Sequence, residues 1–131
     1  DLTDPLFLSP DEGAIDLAST VRDTAGTGEV DYFEKHRLSD TEVEVRPSDA
    51  ETAGRDVVLV DDIVATGSTM STAIEQLDSP NRVFVTCVHP MLAANARSKL
   101  ATAGVNAVYG TDTIERAVSA VSVAPAIADK L

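Results

Sequence analysis

The sequence has no tryptophan, a single cysteine, two histidines and two methionines, and aromatic residues make up only 4% of it. One cysteine, Cys87, excludes an internal disulfide and fits a reducing cytoplasm. His36 and His89 stand without a Cys or His partner at metal-ligand spacing. No apolar run is long enough to cross a membrane, and no secretory leader opens the chain. The first residue is Asp1 rather than Met, as expected of a piece cut from a longer protein. Positive charge is also scarce. Twenty-two acids oppose ten bases, for a net charge of −12, which argues against a nucleic-acid surface. Lysine occurs only at Lys35, Lys99 and Lys130, and the acids are dispersed rather than blocked. Acid-rich, lysine-poor surfaces are a habit of salt-adapted proteins, because high salt screens the self-repulsion. A halophilic archaeal source is therefore expected.

What the chain does have is one organising stretch. Val57, Val58, Leu59 and Val60 run without alternation and read as a strand buried on both faces, as in a parallel sheet. Asp61 and Asp62 follow at the strand's carboxyl end, where open α/β sheets bind ligands. Then come Ala65, Thr66, Gly67, Ser68 and Thr69, all of little bulk, with a helical pattern over 70–77 behind them and Ser68 or Thr69 as N-cap. Gly67 can take positive φ, so the backbone can curl with its N–H groups inward, and such a curl at a helix start is an anion site with phosphate as first candidate. The two carboxylates are placed to accept hydrogen bonds from a ribose diol, or to hold a metal through water. This is not a Walker A loop, since no lysine follows the glycine and the acids precede the loop.

Strands are also predicted at 5–9, 30–33, 83–88, 105–109 and 118–123, and helices at 15–25, 91–103 and from Pro125 onward. Strands alternate with helices, which argues for a doubly wound parallel sheet. Asp11, Glu12, Gly13 and Ala14 form a turn between the first strand and helix. It is either a second anion site or a plain turn whose acids favour the helix dipole. Residues 34–42 are polar and aperiodic, so they read as a mobile loop or hairpin tip, with 43–46 closing a hairpin. Lys35 and Arg37 within it point the same way if the backbone is extended, so both could reach one phosphate, or both could be solvated; His36 points elsewhere. Cys87 reads as a small core residue, and His89 either faces a ligand or caps its strand.

The string from Asp61 to Thr69 resembles the phosphoribosyl-diphosphate signature of the type I phosphoribosyltransferase fold. With residues 31–35 and Arg37, and with 110–114, the chain from about Pro5 to Leu131 is similar to the carboxyl-terminal domain of the ribose-phosphate pyrophosphokinase family in its archaeal form. The resemblance implies an enzyme that moves the diphosphoryl group of ATP to the C1 hydroxyl of ribose 5-phosphate, with Mg²⁺ as cofactor. It implies that residues 65–69 hold the 5-phosphate and that Asp61 and Asp62 bind the ribose hydroxyls. It further implies that Lys35 and Arg37 stabilise the transferring group, and that Asp11 is a magnesium ligand in a diphosphate loop over 11–14. Family members often carry two glycines after that aspartate, where this chain has Glu12, Gly13 and Ala14. They also have an amino-terminal domain of similar fold, which completes the ATP pocket and is not in this chain, so the fragment is expected to be inactive alone. They usually form homo-oligomers. Two other readings share the 61–69 string. One is a phosphoribosyltransferase using a nitrogen base as nucleophile, which gives no reason for Lys35 and Arg37. The other is a regulatory domain that binds a ribose phosphate without turnover, and its mark would be loss of those cations.

The charge balance makes a first testable prediction. The melting temperature should rise into molar salt as acid–acid repulsion is screened. A flat melting temperature across that range would remove the salt-adapted reading.

Overall fold

A computed structural model describes residues 1–131, the side chain of Val43 excepted. It contains β1 (Leu6–Ser9), α1 (Ile15–Ala25), β2 (Glu29–Arg37), β3 (Val43–Pro47), β4 (Asp56–Val64) and α2 (Ser68–Glu75). There follow β5 (Arg82–Pro90), α3 (Ala96–Ala103), β6 (Ala107–Thr111), β7 (Ser119–Val121) and α4 (Ala124–Ala128). The seven strands form one sheet in the order β3-β2-β1-β4-β5-β6-β7, parallel throughout except for the antiparallel β2–β3 hairpin. This is the doubly wound arrangement expected from the alternation of elements. No helix among the described residues is long and apolar enough to cross a membrane.

The central strands are continuous apolar runs because both of their faces are covered. Leu6, Leu8, Val57 and Leu59 pack against Met70, Ala73 and Ile74 of α2 and Leu100 of α3. Phe7, Val58 and Val60 point the other way and pack on Ala18, Leu17 and Val21 of α1. The chain leaves β1 to the β2 side and leaves β4 to the β5 side, so the carboxyl ends of β1 and β4 flank the crevice that such a reversal opens. Beyond α1, the same face is bare over β5 to β7, where an apolar groove of about 260 Å³ runs past Leu17, Val21, Val88, Tyr109 and Val121 with Asp61 at its rim.

Several elements differ from the sequence expectation. The polar stretch 34–42 is a hairpin whose first arm, through Arg37, belongs to β2; only 38–42 is the tip. Its polar residues are held by one another. Glu34 accepts from the Tyr32 hydroxyl at 2.9 Å and the Ser48 hydroxyl at 2.6 Å, and lies 3.3 Å from His36 Nε2. Those two hydroxyls keep the Glu34 carboxyl below its ordinary range. Lys35 and Arg37 sit on the opposite side of the strand, exposed. The helix expected over 91–103 begins only at Ala96. Residues 91–95 are captured instead by the neighbouring strand end: Leu92 N donates to Val64 O at 3.0 Å and Ala93 N to Ala65 O at 2.8 Å. Leu92 and Ala94 take positive φ, 47° and 53°, which a helix cannot accommodate. The strand expected over 118–123 is paired only at Ser119–Val121, and the preceding one extends through Gly110 and Thr111.

At the amino end of β4, Asp56 is fully buried. It accepts from Thr3 N at 2.7 Å, Asn81 Nδ2 at 2.7 Å and Arg82 Nε at 3.1 Å. The Arg82 guanidinium, against the cost of burial, holds this carboxyl well below the usual range. A depressed folded pKa gives stability that is present above the ordinary carboxylate value, about 4, and is lost as pH falls below it. Asp56→Asn should therefore lower the melting temperature at neutral pH and make its decline in acid shallower than in the wild type. Parallel acid limbs in thermal denaturation would count against this account.

Candidate functional site

Two cavities open at the carboxyl edge of the sheet, and Asp11 lines both. The larger, about 420 Å³, lies between Asp11, Glu12, Phe33, Glu34 and Lys35. The other, about 320 Å³, lies between Asp11, the acids Asp61 and Asp62, and the 63–70 segment. The three sequence-predicted loops thus meet around one aspartate. Lys35 is brought to that junction, whereas Arg37, two residues further along β2, lines neither cavity.

Asp61 and Asp62 lie within β4 rather than just after it, because β5 pairs with β4 as far as Val64↔Pro90. On the other side the ladder to β1 stops at Leu59, so the acids stand at an unpaired edge. Burial pushes the Asp61 carboxyl up to about 6, assisted by its hydrogen bond with Asp62 and by the charges of Asp62 and Asp11. The Asp62 amide, donating to Asp61 Oδ1 at 2.8 Å, opposes that rise. Two close carboxylates of which one gives up its charge easily suit a sugar diol, which both donates and accepts hydrogen bonds.

The 65–69 loop curls as its composition requires, but the cap is Gly67, with φ 78°, rather than Ser68 or Thr69. Ser68 is already the first residue of α2. A side chain at Gly67 would be strained by that φ and crowded by Ala96, whose carbonyl oxygen would lie 3.3 Å from an added Cβ. The first N–H groups of α2, at residues 68–70, have no acceptor within the helix and are the donors an anion would meet. Sequence reasoning did not bring Lys99 to this site. Its Nζ, carried by α3, donates to Ser68 Oγ at 2.9 Å. The misplaced start of α3 removed the only signal, since a helix beginning at Met91 does not fix where Lys99 points.

In the 11–14 turn, Asp11 caps the 3₁₀ turn Glu12–Ala14 by accepting from Gly13 N at 2.7 Å. A Cβ on Gly13 would come 3.1 Å from that carboxylate, so glycine here serves Asp11. Ala14 is buried and lines neither cavity. The Ser9 hydroxyl, fully buried, donates to the Asp11 carbonyl and fixes the turn. Among the described residues no three His, Cys, Asp or Glu side chains gather into a metal cage. Mg²⁺ commonly takes one or two carboxylates and completes its shell with substrate phosphates and water. Asp11 keeps one carboxylate oxygen without a hydrogen bond among the described residues, and so has a ligand to offer. His89 Nδ1 is engaged by Thr113 Oγ1 at 2.8 Å.

The profile of the phosphoribosyl transferase domain family matches residues 1–126. A ribose-phosphate pyrophosphokinase of Halobacterium salinarum is 69% identical over 131 residues, all of this chain and 47% of the relative. One from Methanothermobacter thermautotrophicus is 45% identical over 130 residues, 98% of this chain and 45% of the relative. The chain spans about half the length of these curated relatives. Among solved structures, phosphoribosylpyrophosphate synthetase from Mycobacterium smegmatis superposes with a TM-score of 0.78 at 26% identity, covering 97% of this chain and 43% of that one. Orotate phosphoribosyltransferase from Aeropyrum pernix gives a TM-score of 0.60 at 19% identity, covering 95% of this chain and 64% of that one, a likeness of fold.

A raised folded pKa on an acid means that the fold is favoured while the group is protonated and penalised as pH rises through that pKa. Asp61→Asn should therefore raise the melting temperature at pH 7.5 and leave it nearly unchanged near pH 4. An equal shift at both values would show that the gain does not come from relieving the carboxylate cluster.

Proposed function

The chain belongs to the phosphoribosyl transferase domain family, and we propose that it is the ribose 5-phosphate-binding half of a ribose-phosphate pyrophosphokinase. The observation that carries this reading is Lys35 on the β2 hairpin, facing Asp11 across a cavity next to the 61–69 crevice. A transferase that displaces diphosphate with a nitrogen base would use the same crevice; a lysine in the adjoining cavity also suits attack on the β-phosphorus of ATP, where charge moves across the diphosphoryl group. The names of the relatives support the same choice.

In this reading the 65–69 loop takes the 5-phosphate on the amides at the start of α2, and Asp61 and Asp62 take the ring hydroxyls. The C1 hydroxyl is thereby directed toward the Asp11 side. Its oxygen attacks the β-phosphorus of ATP and gives up its proton to solvent, the bond from that phosphorus to the oxygen bridging to the α-phosphate breaks, and AMP leaves with that oxygen. There is little for side chains to do except position the reactants and offset charge. Lys35 meets the diphosphoryl oxygens as charge moves across them, and Arg37, exposed on the same side of β2, joins it when the hairpin lies over the site. Mg²⁺, when bound, neutralises the phosphates, and Asp11 is the residue that would hold it. The ATP pocket is completed by protein outside these residues, in an assembly we take to be a homo-oligomer.

Activity of the full-length protein on ATP and ribose 5-phosphate, followed as AMP release, tests the reading. Lys35→Ala should lower kcat by about 10²–10³-fold with KM little changed, since a contact made only in the transition state acts on kcat. Arg37→Ala should act in the same direction. His36→Ala should stay within about threefold, its ring lying with Glu34 on the other face of β2. Near-normal kcat for Lys35→Ala would leave the non-catalytic, ribose phosphate-binding domain as the better reading.

A further inference from the structure

An anion entering the 61–69 crevice meets three acids, Asp11, Asp61 and Asp62, and a loop with no cation of its own. Neutral amides must then offset both the incoming charge and the charge already present. The structure brings one further group to the loop. Gly67 packs directly on Ala96 at the start of α3. Lys99, one turn on from Ala96, reaches back to the loop behind the crevice lining, where its Nζ lies 2.9 Å from Ser68 Oγ. The approach to α3 is bolted to the same loop through the bonds from Leu92 N to Val64 O and from Ala93 N to Ala65 O.

The hydrogen bonds at Ser68 give this contact a direction. Ser68 Oγ accepts from Lys99 and also from Thr66 Oγ1 at 3.2 Å, while Thr66 Oγ1 accepts from Ser68 N at 3.4 Å. A hydroxyl has two acceptor positions and one proton. With both acceptor positions filled, the Ser68 proton is left free to donate, and the oxygen that carries it is polarised by an ammonium group.

We propose that Lys99 is a phosphate-binding residue, supplying from α3 the positive charge that the loop lacks and turning Ser68 into a fixed donor. The inference rests on reading the 65–69 loop as the phosphate site and adds the residue that makes an acid-lined crevice accept a dianion. The arrangement achieves what a lysine inside a phosphate loop achieves, with the cation on a neighbouring helix.

The test is titration calorimetry on the full-length protein with ribose 5-phosphate and, separately, ribose. Lys99→Gln should weaken ribose 5-phosphate by about tenfold, the scale of one charge-assisted hydrogen bond, and leave ribose unaffected. Lys99→Arg should restore most of the affinity, because it keeps the charge and the donor. Ser68→Ala combined with Lys99→Gln should cost less than the product of the two single effects, because both act through one contact. Should Lys99→Gln fail to fold, Lys99→Met takes its place, with the same loss expected and wild-type affinity again overturning the proposal. Wild-type affinity in Lys99→Gln overturns the proposal and leaves the phosphate loop standing. Equal loss in Lys99→Arg and Lys99→Gln overturns the charge role. Equal binding of ribose 5-phosphate and ribose by the wild type removes the loop reading and Lys99 with it.

Discussion

The site exists because β1 stops early. β1 has four residues and β4 has nine, and their ladder ends at Leu8↔Leu59. Pro10 enforces the stop, having no N–H to offer a ladder and a fixed φ, and the buried Ser9 hydroxyl then turns the backbone by engaging the Asp11 carbonyl. From Val60 onward β4 has β5 on one edge and open space on the other. Asp61 and Asp62 are exposed to a ligand because a neighbouring strand ends before reaching them. Had β1 continued for three residues, the crevice would be filled with backbone.

Charge sets the second constraint. The crevice walls are acidic in a protein that is acidic throughout, yet the chemistry proposed for it concerns anions. In the proposed reading these are reconciled by positive potential from amides at the start of α2, which composition does not count, and from single cations held on hairpin and helix. Asp61 registers the tension directly, as burial and two neighbouring carboxylates raise its affinity for a proton. Such a cluster destabilises the fold, and in the proposed reading it serves the ligand, a common relation between sites and scaffolds.

Much of this was legible in the sequence. The apolar runs at 6–8 and 57–60 could only be doubly covered strands, and Gly67 among small residues could only be a tight curl. Residues 34–37 were not legible as strand, because what holds them extended is the ladder to β3, joined by hydrogen bonds to Glu34 from residues as distant as Ser48. Nor was the late start of α3. Leu92, Ala96 and Leu100 have sound helical spacing, and only the carbonyls of Val64 and Ala65, far off in sequence, draw residues 91–95 out of the helix. Lys99 was missed for the same reason. Periodicity reports which face of an element is apolar; it carries no information on what a neighbouring element will capture.

The alternation of β2 can also be viewed as an address. A strand offers one of two side-chain sets to a given face, and sliding it by one residue exchanges them. On β2 the two sets are chemically opposed: Lys35 and Arg37 on one side, Glu34 and His36 on the other. A slip of a single residue against β3 would present a carboxylate to the cavity where an ammonium now stands. Ser48, from beyond β3, reaches Glu34 in one alignment only, whereas Tyr32 lies on β2 and moves with Glu34. The Ser48 hydroxyl therefore holds in place the one β2 carboxylate that lines the cavity beside Lys35, and so bears on the charge shown there.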